Sequence, residues 1–172
     1  MSEQRGHEVH NQDRSDDYPT PPELVYRIGF FFGGSIDLDP VANPDNSTGA
    51  RHCFTKTDDG LSKSWQGFEN CYVNPPYERQ WYVKIADEVN AGAVETIALL
   101  KASPCTRWAQ EVILPSATGV CFIKGRLTFG NETSPAGFGS WLIYLGSQRR
   151  RFAKVFGDLG WVVPTNNQSR EI

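Results

Sequence analysis

Asn74-Pro75-Pro76-Tyr77 is the segment whose residue types and order best define a chemistry. The apolar run before it, residues 70–73, predicts a strand, which puts the tetrapeptide at that strand's carboxyl end. There the Asn74 side-chain oxygen and the Pro75 carbonyl can supply two convergent acceptors, held rigid because the two prolines fix φ. Tyr77 adds an aromatic face on which a planar ring can stack. This set suits methylation of an amine conjugated with an aromatic ring. Such an amine is a poor nucleophile, because its lone pair is delocalised into the ring. Acceptors that orient its N–H groups let the nitrogen become tetrahedral, and a strong base is not required. Any planar amine or amide would meet the same geometry, so the substrate stays open, and prolines after a strand also serve merely to end it.

Asp37-Leu38-Asp39-Pro40 repeats the pattern at the end of a second strand, predicted over residues 35–38. In open α/β sheets ligands bind outside the carboxyl ends of the strands, so Asp39 there faces the crevice where a cofactor would lie. Asp-Pro also caps turns, and both readings stand.

The remaining elements must position these two strand ends. Thr20-Pro21-Pro22-Glu23 has the form of a helix start, with Thr20 as cap and Glu23 three residues on. The helix runs through Leu24, Val25 and Ile28 to Gly33-Gly34. Tyr82, Ile85, Ala86 and Val89 recur three and four apart and predict a second helix, followed by a buried strand over residues 96–100. Residues 105–113 read as helical and 120–123 as extended. Residues 127–129 and 140–145, joined by a loop rich in Gly, Ser and Pro, predict an antiparallel pair at the sheet edge. Phe152, Val155, Phe156 and Leu159 mark a last amphipathic helix before Trp161. The sum is an α/β sandwich on a mainly parallel sheet, one domain over residues 18–163. Residues 1–17 and 164–172 are expected to be mobile tails, the first because Val9 is its one large aliphatic side chain.

With 39% apolar residues in 172, the chain fills one core. No apolar run approaches the roughly 20 residues of a membrane span, and the polar start lacks a signal-peptide block, so a cytoplasmic protein is expected. Cys53, Cys71, Cys105 and Cys121 form no Cys-x-x-Cys pair and are expected as free thiols. His52-Cys53 has no second half of suitable spacing, so no metal is expected. Net charge is −3, but residues 1–50 carry 3 Lys and Arg against 9 Asp and Glu, while residues 101–172 carry 9 against 4. Lys124, Arg126, Arg149, Arg150, Arg151 and Lys154 are therefore candidates for phosphate contacts, with a solvated basic surface as the plain alternative.

Taken in order, Tyr18-Pro19-Thr20-Pro21, Asp37-Leu38-Asp39-Pro40-Val41-Ala42, Asp59-Gly60-Leu61 with Trp65, Asn74-Pro75-Pro76-Tyr77, Trp81, Gly125-Arg126-Leu127-Thr128-Phe129 and Arg151-Phe152 with Phe156 give the chain a family likeness. It resembles the phage-type DNA N6-adenine methyltransferases, the Dam-like family of bacteriophages and prophages, over residues 18–163. The resemblance implies a Rossmann-like methyltransferase sandwich with a C-terminal antiparallel hairpin, S-adenosylmethionine as cofactor and DNA as partner. It implies that Asn74, Pro75, Pro76 and Tyr77 hold a target adenine flipped out of the duplex. Asp37, Asp39 and Pro40 would lie at the cofactor, Thr20 and Pro21 near its methionine end, and Asp59, or Asp58 in its place, at its adenine.

The chain departs from the larger methyltransferases in two ways. Val41-Ala42-Asn43-Pro44 stands where they have a glycine-rich turn. From Asp39 to Asn74 there are 35 positions, where two β-α repeats would need roughly 60. The fold is therefore expected to be abbreviated, and the acidic residue for the cofactor ribose has no counterpart. Rival readings are an RNA or protein amide methyltransferase, and a catalytically weak phage protein that binds DNA and cofactor.

Overall fold

The computed structural model describes residues 19–92 and 94–165. In chain order the elements are α1 (Pro22–Phe31), β1 (Leu38–Asp39), β2 (His52–Cys53), β3 (Asn70–Val73), α2 (Arg79–Asn90) and β4 (Glu95–Lys101). A π-helical turn (Ala109–Ile113) then leads into α3 (Leu114–Ser116), followed by β5 (Gly119–Ile123), β6 (Ser140–Leu145), α4 (Arg149–Phe156) and β7 (Gly160–Pro164). The tail expected at residues 1–17, and that at 164–172 beyond Thr165, lie outside the described residues.

Strict alternation along the central strands gives the sheet two apolar faces. Ala98 and Leu100 of β4 and Trp141, Ile143 and Leu145 of β6 pack with Tyr82 and Ile85 of α2 and with Ile113. Ile97, Leu99, Leu142 and Tyr144 point the other way and meet Leu24, Ile28 and Phe31 of α1 and Phe152 and Phe156 of α4. Helices therefore cover both faces, and the chain is a three-layer α/β sandwich.

The seven strands run in the order β2-β1-β3-β4-β6-β5-β7. The pairs β1–β2, β1–β3 and β3–β4 are parallel. The pairs β4–β6, β5–β6 and β5–β7 are antiparallel. This corrects the expectation of a mainly parallel sheet: half of the pairings are antiparallel. The expected edge pair of residues 127–129 with 140–145 is corrected too. β6 lies inside the sheet between β4 and β5, as a strand buried along its whole length should. Residues 127–129 form no strand, because positive-φ Gly125 and Gly130 turn the chain on either side and Phe129 is buried in the α1-side core.

The expected helix at 105–113 becomes the π-helical turn and α3. Pro115 has no N–H for the carbonyl of Glu111 and its ring would crowd that carbonyl, and the wider turn stands where that conflict falls. Between β1 and β3 the regular structure is β2 alone, so the expected abbreviation takes the form of loops in place of helices. All four cysteines are free, with Cys71 and Cys121 buried. Among the described residues no helix is long and apolar enough to cross a membrane.

Candidate active site

β1 and β3 are parallel neighbours, so their carboxyl ends open on the same edge of the sheet. β1 carries β2 on one side and β3 on the other. The gap between β1 and β3 is thus where the strand order reverses, the place at which open α/β sheets bind ligands. Leu38 faces Cys71 across the ladder, so Asn74 stands two residues further along than Asp39. From strand rise and spacing, the two backbones are roughly 8 Å apart.

Asn74 is held through a route that its own strand sets up. Tyr72 and Asn74, two residues apart, project to the same side. Thr20 meets both. Its hydroxyl lies 2.6 Å from the Tyr72 hydroxyl and accepts the Asn74 side-chain N–H at 3.2 Å. Burial pushes the Tyr72 phenol well above its ordinary range, so it stays protonated, and either hydroxyl can donate to the other. The bond from Asn74 turns its amide so that Nδ2 faces Thr20 and Oδ1 faces away. The expected capping role of Thr20 is thereby corrected: α1 begins at Pro22 with Pro21 in the cap position and no side-chain cap, because the Thr20 hydroxyl is drawn to Tyr72 and Asn74.

Pro75 is buried, and Pro76 and Tyr77 are half-buried. The Tyr77 ring meets Phe138 edge-on, with centroids 5.2 Å apart and planes at 84°. Phe138 comes from the loop after β5. That loop is tied down at both sides of the site, by Ala102 N–H to the Gly139 carbonyl and by Gly130 N–H to the Pro19 carbonyl, both at 2.8 Å. The Lys101 ammonium lies 5.5 Å over the Phe138 ring.

Asp39 is held differently. Its carboxylate is 4% exposed, accepting the Val41 N–H at 3.0 Å and the Thr48 hydroxyl at 2.8 Å. Burial raises its pKa, and the two hydrogen bonds offset this only in part. Gly60 lies directly against Pro40: a Cβ there would come within 2.0 Å of the Pro40 carbonyl oxygen. The Trp65 indole fixes Gly60 by donating to its carbonyl at 3.1 Å, and Glu88 accepts the Trp65 backbone N–H at 3.1 Å. This close approach puts neighbouring Asp59, exposed and at φ 55°, on the Pro40 side of the site. Asp58 is occupied in its own turn, accepting the Thr55 N–H and hydroxyl. Asp37 joins strands: its carboxylate accepts the Glu69 N–H at 2.8 Å and lies 3.2 Å from His52 Nδ1.

The sequence matches the DNA N-6-adenine-methyltransferase (Dam) family over residues 8–140. The chain belongs to that family. Among curated proteins, none matches it. The family match takes in Thr20, Asp39, Asp59 and Asn74 to Tyr77, and ends before α4.

In this Dam-family chain the six basic candidates do not form one patch. β5 runs parallel to β3 and β4, so Lys124 and Arg126 leave it on the edge where Asn74 stands. α4 starts at the opposite edge, where Glu95, the first residue of β4, accepts from Ser147 and Gln148. Arg149, Arg150, Arg151 and Lys154 therefore lie on the α1 side, away from Lys124 and Arg126. Arg151 donates to the Phe30 carbonyl at 3.0 Å and so closes the end of α1. Sequence reasoning missed Tyr72, Thr48, Lys101 and Phe138. The two-residue spacing from Asn74 was a usable signal for Tyr72, whereas Lys101 and Phe138 reach the site through tertiary contacts, and Thr48 from the loop after β1, with no local pattern to announce them.

Proposed function

We propose that this chain transfers a methyl group from S-adenosylmethionine to the N6 amine of adenine in DNA, acting on a base turned out of the duplex. The observation that carries this reading is the meeting of Asn74-Pro75-Pro76-Tyr77 with Asp39-Pro40 at the ends of two neighbouring parallel strands, in a chain of the DNA adenine methyltransferase family. The helices on both faces of the sheet, and the switch point between β1 and β3, support an abbreviated Rossmann-like arrangement.

The residues present fit the cofactor. A buried carboxylate whose pKa is raised, Asp39, suits a cationic or N–H-bearing partner that would restore its charge. The loop pressed on Pro40 brings Asp59 to the same side. Asp39, Pro40, Thr20, Pro21 and Asp59 would hold the cofactor, which when bound supplies an electrophilic methyl group on a sulfonium. Asp37 would act behind them by keeping β1 in register with β2 and β3.

On the acceptor side, Asn74 Oδ1 and the Pro75 carbonyl take the two N–H groups of the adenine amine and favour a tetrahedral nitrogen. Pro76 fixes the backbone that presents them, and Tyr77, backed by Phe138, stacks on the base. The base leaves the duplex because a stacked, paired N6 is out of reach. Lys124 and Arg126 contact phosphates beside the site. Purified protein given methyl-labelled cofactor with DNA, RNA and protein acceptors in parallel should label DNA alone, at N6 of adenine. Label in RNA or on glutamine, or cofactor and DNA binding without transfer, would overturn the proposal.

A further inference from the structure

We propose that the face between α1 and α4 is a second DNA-binding surface that takes a single strand leading away from the active site, its bases against Tyr26 and Phe30 and its phosphates on Arg150 and Lys154. The identity of the polymer rests on the function proposed above.

The two helices are fastened to each other and leave an open groove. Arg27 donates to the Val155 carbonyl at 2.9 Å and pairs with Asp158, while Arg151 reaches the Phe30 carbonyl. The groove is open to solvent, with a volume of about 1290 Å³. Tyr26 and Phe30 stand in it 78% and 58% exposed. Four residues apart on one helix, they share a face about 6 Å apart along the axis. A second concavity, about 360 Å³, opens on their other flank beside Gly29, Gly34 and Gly49. Tyr26 and Phe30 thus border both concavities, and the Arg151 guanidinium lies 5.9 Å over the Phe30 ring.

Arg150 and Lys154 line the groove with the same four-residue spacing on α4. Arg27 and Arg151 are occupied in holding the helices together, whereas Arg150 and Lys154 have no acidic partner within 4 Å among the described residues. Cations flanking exposed aromatic rings are the elements of sequence-tolerant single-strand binding. A duplex keeps its base faces stacked inside and would leave Tyr26 and Phe30 unused. The groove begins at Pro22, two residues from the Thr20 hydroxyl that holds Asn74, so a strand lying in it is directed past the exposed Glu23 toward the catalytic edge, with its phosphates on the α4 side. Arg150 and Lys154 lie beyond the residues matched to the family, so the match says nothing of this half of the groove.

Fluorescence anisotropy of the full chain with a short labelled single-stranded oligodeoxynucleotide tests this. The wild-type protein should bind, and Tyr26→Ala with Phe30→Ala should weaken binding about tenfold or more. Arg150→Ala with Lys154→Ala should flatten the slope of log affinity against log salt by about 1.4, at about 0.7 per phosphate. Thermal melting should be unchanged in both. Unaltered affinity and slope would overturn the inference. So would a concentration-dependent dimer lost in the Tyr26/Phe30 variant, which would assign the face to a second copy of the chain. Methylation of duplex adenine without single-strand binding would remove this inference and leave the proposed function standing. Single-strand binding without methyl transfer from any acceptor set would do the reverse.

Discussion

Asp39 and Asn74 end neighbouring strands of one sheet, yet the two ends are built on different principles. Asp39 is buried, both its oxygens accept from the loop that follows it, and Gly60 presses on Pro40 from the next loop. Both hydrogen bonds to the Asp39 carboxylate come from within ten residues of it. Asn74 is half-buried and is held by a relay through Thr20 to Tyr72, while Tyr77 rests on Phe138 from a loop more than sixty residues further along the chain. One end is locally closed around a charge that burial disfavours. The other is assembled from three separated segments and depends on the whole fold. The difference suits a site in which one half grips a cationic cofactor tightly and the other admits and orients an incoming base.

The largest expected effect is at the assembled end. Asn74→Ala removes an acceptor used in the transition state and should lower single-turnover transfer by about 10²–10³ or more. Cofactor affinity, measured by calorimetry, should hold. At the closed end, Asp39→Asn keeps the shape but removes the charge, and should weaken cofactor binding by about 10–100-fold, the loss of one charge-assisted contact. Its stability should respond in the opposite sense. A carboxyl whose folded pKa is raised adds stability that is fully present below its ordinary value of 3.8 and is lost as pH rises through the raised value. At neutral pH the ionised Asp39 therefore costs stability, and Asp39→Asn should melt no lower than wild type and show a flatter decline as pH rises through that window. A lower melting point would deny the closed-end description.

Gly60→Ala places a methyl group 2.0 Å from a backbone oxygen, so the loop must move. About 2 kcal/mol of stability should be lost, seen as a fall of several degrees in melting temperature together with weaker cofactor binding. The smallest effect is at Tyr72. Tyr72→Phe deletes one buried hydrogen bond, and kcat should fall about fivefold, with cofactor affinity little changed. An unchanged kcat would remove Tyr72 from the relay.

Much of this was legible in the sequence because it lies in local pattern. Residues 70–73 read correctly as a strand, and the helix after them followed from Tyr82, Ile85, Ala86 and Val89. The layered α/β plan came from alternating periods. The sheet order did not, since residues 140–145 carry the same continuous apolar signal at an edge or in the centre, and only their pairing with β4 and β5 decides. Two-residue β2 was too short to leave a pattern. The capping box at Thr20 was misleading for an instructive reason: the residue types of a helix cap are also those of a polar relay, and the Tyr72 hydroxyl and Asn74 amide, 52 and 54 residues away, took the hydroxyl. The separation of Lys124 and Arg126 from the α4 cluster was likewise invisible, because charge counts carry no direction along a strand.

The central claim is that the two strand ends serve separate halves of one reaction. It is tested most directly by measuring, for Asp39→Asn and Asn74→Ala together, cofactor affinity and single-turnover transfer of labelled methyl to DNA adenine at saturating cofactor. The prediction is a crossed pattern: Asp39→Asn binds cofactor weakly but transfers once saturated, and Asn74→Ala binds normally but does not transfer. Undiminished transfer by Asn74→Ala, or loss of both functions in both variants with the fold intact, would contradict it.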